Sequence, residues 1–195
     1  MVKVGTQGDD GALRWSKSSK LNKFIHIEGN KISMSRLDSA IRRLQAQRIC
    51  LNWAVDQIDG EEGIILELGL GNGRSYDHLR KALPGRRICV FDRNISPHPD
   101  CIPPDEDMYL GEMDEMLKAA ARDLGSAAIL AHADIGYGDP EKSAKNVALI
   151  GPLIMPLLRP GAIVISDRAL AFPEVEPIAL PEGVEEGRYF MQRRL

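Results

Sequence analysis

The sequence predicts an α/β fold, a three-layer sandwich in which helices cover both faces of a mostly parallel sheet. Short apolar runs alternate with helical patterns from residue 61 onwards. These runs are apolar throughout, which is typical of strands that are buried on both faces. Two strand-like segments joined by a turn-rich loop end the chain, and this pattern predicts a C-terminal hairpin with an antiparallel strand.

A helix is predicted before the sheet. Apolar residues recur at steps of three and four between residues 37 and 58, which is the spacing of one helical face. Ser35 can accept an amide hydrogen bond and Asp38 lies in the first turn, as in a capping box. We expect this helix to end near Gly60.

The chain is predicted to divide at residue 60. Residues 1–60 would form an N-terminal arm and helix that act as a lid or partner surface, with residues 61–195 as the core. The arm is polar, with apolar anchors at Trp15, Phe24 and Ile25.

The strands and helices of the core are predicted in chain order. Strands are expected at 63–68, 87–92, 108–110, 127–134 and 161–166, helices at 75–83, 112–124 and 140–150, and the hairpin at 175–180 and 188–194. Pro84 and Gly85 end the first of these helices, Gly125 ends the second, and Pro140 suits the first turn of the third. This order indicates a Rossmann-like sheet.

The composition limits the class of protein. Hydrophobic residues make up 44% and charged residues 27%, a balance that excludes a disordered or fibrous chain. No apolar run is long enough to span a membrane. The first 20 residues lack the apolar segment of a signal peptide, and Asp9 and Asp10 argue against a transit peptide. We therefore expect a cytoplasmic protein with no membrane partner.

Charge is distributed unevenly along the chain. Residues 1–50 contain 10 Lys and Arg against 4 Asp and Glu, whereas the remaining residues contain 15 against 24. The basic arm could meet nucleic acid, but aromatic residues for base stacking are not interleaved with it. The favoured interpretation is that the arm folds over its own acidic body.

The stretch "ILELGLGNGRSYDHL" at residues 64–78 is a strand that ends in a glycine-rich turn. Gly69, Gly71 and Gly73 let the backbone approach a ligand closely. A dinucleotide fingerprint would require a third glycine where Arg74 stands. The sequence therefore disfavours a dehydrogenase.

Two acidic residues flank this turn. Glu67 would repel a pyrophosphate but attract an ammonium group. Asp92 lies 21 residues after Gly71, at the end of the second strand, where a carboxylate can accept hydrogen bonds from ribose hydroxyls. A ligand with a ribose, a positive charge and no phosphate fits both residues, and S-adenosylmethionine is such a ligand.

These motifs resemble those of the class I S-adenosylmethionine-dependent methyltransferases. "ELGLGNG" followed by "FD" resembles motif I and the ribose-binding acid, "LRPGAIVISD" is similar to the fifth-strand signature, and "YLGE" matches the adenine position. The resemblance covers residues 60–195, and the family's antiparallel seventh strand agrees with the predicted hairpin. Within this family, the sequence resembles bacterial methyltransferases whose substrate the resemblance does not supply.

The resemblance implies cofactor-binding roles for eleven residues. The glycine turn would line the methionine part, with Glu67 near its ammonium group, Asp92 would hold the ribose, and the residues after the third strand would flank the adenine. The full set is Glu67, Gly69, Gly71, Asn72, Gly73, Arg74, Asp92, Arg93, Gly111, Glu112 and Met113. Glu67 as a solvent-facing carboxylate and Glu112 as a first-turn helix acid stay open as alternatives.

Three residues are catalytic candidates, namely Asp134, His132 and Asp167. His132 and Asp134 share one face of the fourth strand, and the histidine could act as a base or be a core residue. Asp134 and Asp167 resemble the acidic metal ligands of cation-dependent O-methyltransferases, but Arg168 stands where those enzymes have an acid or amide. A divalent metal is therefore not favoured. Tyr137 could border the acceptor.

The predicted function is methyl transfer to a small-molecule acceptor, with O-methylation ahead of N-methylation. A NAD(P)-dependent Rossmann oxidoreductase is one alternative, and it predicts a sixth parallel strand in place of the hairpin. A non-catalytic S-adenosylmethionine binder and an RNA methyltransferase are the others, although nucleic acid is the less favoured partner. The sequence leaves the oligomeric state open, with a homodimer as one alternative.

Overall fold

The computed structural model describes residues 34–136, 139–170, 172 and 174–195. The anchors predicted at Trp15, Phe24 and Ile25, and the acceptor-side residue Tyr137, lie outside the described residues. One compact unit spans Ser35–Leu195. The helix predicted from the pattern between residues 37 and 58 lies in this unit together with the sheet. The role of residues 1–60 as a lid or partner surface stays a prediction.

The unit contains four α-helices and seven strands among the described residues. The helices are α1 (Arg36–Gln57), α2 (Arg74–Ala82), α3 (Met113–Leu124) and α4 (Pro140–Ile154). The strands are β1 (Ile64–Leu68), β2 (Ile88–Asp92), β3 (Met108–Leu110), β4 (Ala128–Ala133), β5 (Leu158–Ser166), β6 (Val175–Pro177) and β7 (Phe190–Arg194). Every predicted element is present, and Ser35 caps α1 by accepting a hydrogen bond from the Asp38 amide at 3.0 Å.

The sheet has the order β3-β2-β1-β4-β5-β7-β6. The first five strands in the chain pair in parallel, and β7 is antiparallel to both β5 and β6. The predicted antiparallel ending is thus confirmed. The alternative of an oxidoreductase predicts a sixth parallel strand at this place in the sheet. The structure contradicts it, because β7 lies next to β5 and runs in the opposite direction.

Two apolar clusters cover the two faces of the sheet. On one face, Leu51 and Ala54 of α1 and Leu79 of α2 pack with Ile65 and Val90 of the sheet. On the other, α3 and α4 pack through a second set of buried residues that includes Leu117, Ile150, Ile154, Leu66 and Phe91. The three-layer sandwich is therefore confirmed, with α1 as an integral part of one layer.

The boundaries of α4, β5 and β6 differ from those expected. Helix α4 continues to Ile154 because Ile150 and Ile154 are both buried against the sheet, and Pro152 falls in its last turns. Strand β5 starts at Leu158, three residues before the predicted start, and β6 stops at Pro177. Apolar periodicity does not locate such ends because burial continues beyond the regular pattern. Among the described residues, none of the helices has the length and apolar character that a membrane span requires.

Candidate active site

A cleft lies at the carboxyl ends of β1, β2 and β4. It consists of two cavities of about 310 Å³ and about 230 Å³ that share Gly69, Asp92 and Asp134 as walls. In a parallel α/β sheet this edge is where ligands bind. The first cavity also contains Arg93, Asn94, Met113, Ile135, Gly136 and Asn146. The second is completed by Arg43, Leu44 and Gln47 of α1 and by residues of the glycine turn and the start of α2, including Leu70, Gly71, Asn72, Arg74 and Ser75.

The glycine turn needs its glycines at two positions for steric reasons. Gly69 has a φ of +92°, and a Cβ atom there would lie 2.9 Å from the Asp134 carbonyl oxygen. Gly73 has a φ of +75°, and its Cβ atom would lie 2.5 Å from the Cβ of Cys101. Both conformations are strained for other residues. The turn can therefore lie close to β4 and to the loop after β2 only with glycine at these positions.

Asp92 holds this turn in place. Its Oδ2 accepts hydrogen bonds from the amides of Leu70 at 2.8 Å and Gly71 at 3.1 Å, and its Oδ1 accepts one from the Asn94 amide at 3.1 Å. A carboxylate has about four acceptor positions, so Asp92 can accept a further hydrogen bond from a ligand in the cleft. The predicted ribose contact is compatible with this placement and stays a prediction.

Only some of the residues that were predicted to lie beside the ribose and adenine line the cleft. Met113 and Arg93 line the first cavity. Glu112 forms an exposed ion pair with Arg93, at 3.4 Å between Oε2 and Nε, and the Gly111 amide donates to the Asp92 carbonyl at 3.0 Å. Neither Glu112 nor Gly111 forms a wall of this cavity. Their predicted contact with adenine therefore receives no support from the geometry.

Several cleft residues were missed by the sequence analysis. Asn146 of α4 lines the first cavity and donates from its side-chain amide to the Ile135 carbonyl at 3.0 Å. Arg43 and Gln47 of α1 line the second cavity. Their spacing of four residues places them on one helix face, but this signal alone does not show that the face meets the glycine turn.

Glu67 is buried below the cleft, with no solvent exposure. Its Oε1 accepts a hydrogen bond from the Ser75 hydroxyl, and its Oε2 lies 2.8 Å from His132 Nδ1. Register pairing between β1 and β4 places Glu67 directly opposite His132. The carboxylate is thus engaged on both oxygens, and it does not line either cavity. The predicted ammonium contact of Glu67 is not supported by this position.

His132 belongs to a buried polar network. Its Nε2 lies 2.7 Å from the Tyr189 hydroxyl, which also accepts a hydrogen bond from Gln47 Nε2 at 3.0 Å. Burial lowers the pKa of His132, but Glu67 and the more distant Asp134 outweigh this effect, and the net direction is upward. Because every polar contact of the imidazole is internal, this position suits a residue that orients Gln47 better than a base in contact with an acceptor.

The stability contributed by His132 is expected to decline with rising pH. A folded pKa above the ordinary value of 6.5 means that the folded state binds the proton more tightly. The contribution is complete below pH 6.5 and is lost as pH rises through the folded pKa. Urea titrations over a pH series should show the free energy of unfolding of the wild type falling relative to that of His132→Gln. If the difference in free energy of unfolding between the two proteins stayed constant with pH, the stabilising role assigned to protonated His132 would be contradicted.

Asp134 and Asp167 have different surroundings. Asp134 is a wall of both cavities, and its Oδ2 accepts hydrogen bonds from Arg43 at 2.9 Å and Gln47 at 3.4 Å. Asp167 Oδ1 accepts from the amides of Ile135 and Gly136 at 3.1 and 3.2 Å. Burial and the nearby Asp134 raise the pKa of Asp167. Asp167 thus supports the loop that forms part of the first cavity.

The acidic pair shows no sign of a metal site. Within the described parts of the chain, no group of three or more His, Cys, Asp and Glu side chains could hold a metal ion. Asp134 is already paired with the cation Arg43, and Asp167 lies 3.8 Å from the Arg168 guanidinium. The geometry therefore gives no support to Asp134 and Asp167 as metal ligands.

Comparison with known proteins identifies the family. The model of a family described as S-adenosyl-L-methionine methyltransferase matches residues 34–194. The solved structure of an S-adenosyl-L-methionine methyl transferase from Silicibacter pomeroyi DSS-3 is 43% identical, with a TM-score of 0.79 and coverage of 83% of this chain and 99% of that chain. No curated protein matches the sequence.

A more distant structure is the 1,6-didemethyltoxoflavin-N1-methyltransferase of Burkholderia thailandensis, solved with bound 1,6-didemethyltoxoflavin and S-adenosylhomocysteine. It is 14% identical, with a TM-score of 0.44 and coverage of 87% of this chain and 94% of that chain. At this similarity it carries no argument about the present chain. The family model, in contrast, matches most of the chain, and the 43% identical structure covers 83% of it. The chain therefore belongs to the S-adenosyl-L-methionine methyltransferase family, and S-adenosylmethionine is its cofactor.

Proposed function

We propose that this methyltransferase methylates a hydroxyl oxygen of a small molecule in the cleft at the carboxyl ends of β1, β2 and β4. The observation that carries the proposal is that two cavities share Gly69, Asp92 and Asp134 and that α1 covers one of them. The first cavity, whose walls Ile135 and Gly136 are bonded by Asp167, has a volume of about 310 Å³, which suits a small acceptor better than a polymer. The acidic balance of residues 51–195 also disfavours nucleic acid.

The residues of the cleft fit S-adenosylmethionine. Asp92 offers acceptor positions for ribose hydroxyls at the end of β2, and Met113 and Ile135 offer apolar contacts for an adenine. A Cβ atom added at Gly71 would meet nothing within 4 Å, so the turn leaves open space at that point. Charged side chains of the second cavity suit an amino acid. When bound, the cofactor supplies an electrophilic methyl group on a sulfonium sulfur.

The chain's contribution to catalysis would be orientation and proton removal. A hydroxyl acceptor must lose one proton as its oxygen is methylated, and a base of raised pKa near the acceptor assists this loss. Asp167 has such a pKa because it is buried and lies near Asp134. A Cβ atom at Gly136, a wall of the first cavity, would collide with Asp167 Oδ2. Asp167 is not itself a wall of either cavity, but it lies directly behind Gly136 and accepts a hydrogen bond from the Gly136 amide, and it is therefore the candidate that we favour for receiving the proton.

A methyl-transfer assay tests this proposal. The purified protein is incubated with S-adenosylmethionine that carries a radiolabelled methyl group, together with panels of small hydroxyl compounds, small amines and bulk RNA. We expect label in hydroxyl compounds, and we expect Asp167→Asn to reduce the rate while S-adenosylhomocysteine still binds. Label in RNA or only in amines would overturn the proposed acceptor class. An unchanged rate in Asp167→Asn would remove its role as the base.

A further inference from the structure

The second cavity contains an arginine and an aspartate that form an ion pair. Arg43 Nη1 lies 2.9 Å from Asp134 Oδ2, and the two side chains are 42% and 32% exposed. Both residues are walls of this cavity. The pair is therefore accessible to a ligand, and it presents one positive and one negative group next to each other in a space of about 230 Å³.

The other acidic residues near the glycine turn already accept hydrogen bonds from within the protein. Glu67 is fully buried and bonded on both oxygens. Asp92 accepts three backbone amides and faces both cavities. The hydrogen bonds that Asp134 accepts from described residues both reach Oδ2. Its Oδ1 can therefore receive a further donor from the cavity.

We propose that Arg43 and Asp134 recognise the two charged ends of the cofactor's amino acid, an inference that rests on the proposed function. Arg43 binds the carboxylate and Asp134 binds the ammonium group. The guanidinium fork matches a carboxylate through paired, charge-assisted hydrogen bonds. In the free protein each residue neutralises the other, and the ligand zwitterion replaces both partners at once. This role replaces the ammonium contact expected of Glu67 and the catalytic role expected of Asp134.

The buried network supports this arrangement. Gln47 donates to Asp134 Oδ2 at 3.4 Å while its amide nitrogen also lies 3.0 Å from the Tyr189 hydroxyl. Tyr189 in turn contacts His132. Because Arg43 and Gln47 lie one helical turn apart on α1, this helix fixes both the cation and the orientation of the aspartate.

Ligand pairs that differ in the amino acid test the proposal without an activity assay. S-adenosylhomocysteine contains the amino acid, and 5′-methylthioadenosine has the same adenosine and thioether without it. Affinities are measured by calorimetry for the wild type, Arg43→Ala and Asp134→Asn. We expect Arg43→Ala and Asp134→Asn to weaken S-adenosylhomocysteine by about tenfold, as for charge-assisted bonds in a partly exposed cavity. Binding of 5′-methylthioadenosine should change by less than about twofold, because it makes none of these contacts.

Two arginines provide matched controls. Arg42 is the neighbour of Arg43 on α1 and pairs with Glu185 at 3.3 Å, and it is not a wall of the cavity. Arg42→Ala should leave both affinities unchanged. Arg74, which the family resemblance also places at the cofactor, lies at the start of α2 and is a wall of the same cavity, so Arg74→Ala measures how much a second positive charge of this cavity contributes to binding. Its effect on S-adenosylhomocysteine should be clearly smaller than that of Arg43→Ala.

Three results would overturn the inference. The first is equal weakening of S-adenosylhomocysteine by Arg43→Ala and Arg74→Ala, which would indicate a general effect of charge. The second is weakening of 5′-methylthioadenosine by the same factor, which would indicate a distorted cleft. The third is an unchanged affinity for S-adenosylhomocysteine in Arg43→Ala or Asp134→Asn. Failure of the wild type to bind either ligand would instead overturn the proposed cofactor site as a whole.

Discussion

Glu67→Ala is expected to lower the free energy of unfolding by about 3–5 kcal/mol, the usual loss when one partner of a buried ion pair is removed. Glu67 and His132 are both fully buried, and their oxygen and nitrogen atoms lie 2.8 Å apart. Without the carboxylate, the imidazole and the Ser75 hydroxyl both lose an internal partner. A loss of this size is a large part of the stability of a typical domain.

Urea denaturation of Glu67→Ala and of two control variants measures this loss. Tyr189→Phe removes one hydroxyl from the same network and should cost about 1–3 kcal/mol. Glu61→Ala breaks an ion pair with Arg159 between two partly exposed side chains, and it should cost no more than about 1 kcal/mol. If Glu67→Ala lost no more stability than Glu61→Ala, the buried pair would not have the structural role assigned to it.

Asp92→Ala is expected to weaken binding of S-adenosylhomocysteine by ten- to a hundredfold, or about 1.4–2.8 kcal/mol. The carboxylate would lose its bonds to the ribose hydroxyls, and the amides of Leu70, Gly71 and Asn94 would lose their acceptor in the same change. The turn would therefore be less well ordered for the ligand. Calorimetric titration measures the loss directly.

Asp92→Asn separates the two contributions. The amide oxygen can still accept from the backbone, whereas the charge and one acceptor group are lost. We expect a weakening smaller than that of Asp92→Ala. Asp100→Ala, in the exposed loop after β2, is the surface control, because the Asp100 side chain is 84% exposed. An affinity of Asp92→Ala equal to that of Asp100→Ala would place the ribose elsewhere.

The fold could be predicted because its signals are local. Strand β4 is an apolar run interrupted only by His132, and the structure buries all six of its residues. The capping signal at Ser35 also depends only on residues three positions apart. The ends of α4 and β5 could not be predicted, because they depend on the packing of Ile154 and Leu158 against distant parts of the chain.

Only the parts of the candidate site that belong to a local sequence motif could be predicted. Gly69 and Asp92 belong to such local motifs, and both line the cleft. Gln47 and Tyr189 are 142 positions apart, and their contact depends on how α1 and the residue before β7 meet over the sheet. For the same reason Glu67 was expected at the ligand, since its partner His132 becomes apparent only from the pairing of β1 with β4.

Calorimetric titration of the unaltered protein with S-adenosylhomocysteine, with NADH as the parallel ligand, tests the central claim most directly. The cleft lies at the carboxyl ends of β1, β2 and β4 and contains the carboxylate of Asp92. Arginine occupies position 74, where a dinucleotide fingerprint would have its third glycine. We therefore expect micromolar binding of S-adenosylhomocysteine and no binding of NADH. Binding of NADH alone, or of neither ligand, would contradict the assignment of this cleft as the S-adenosylmethionine site.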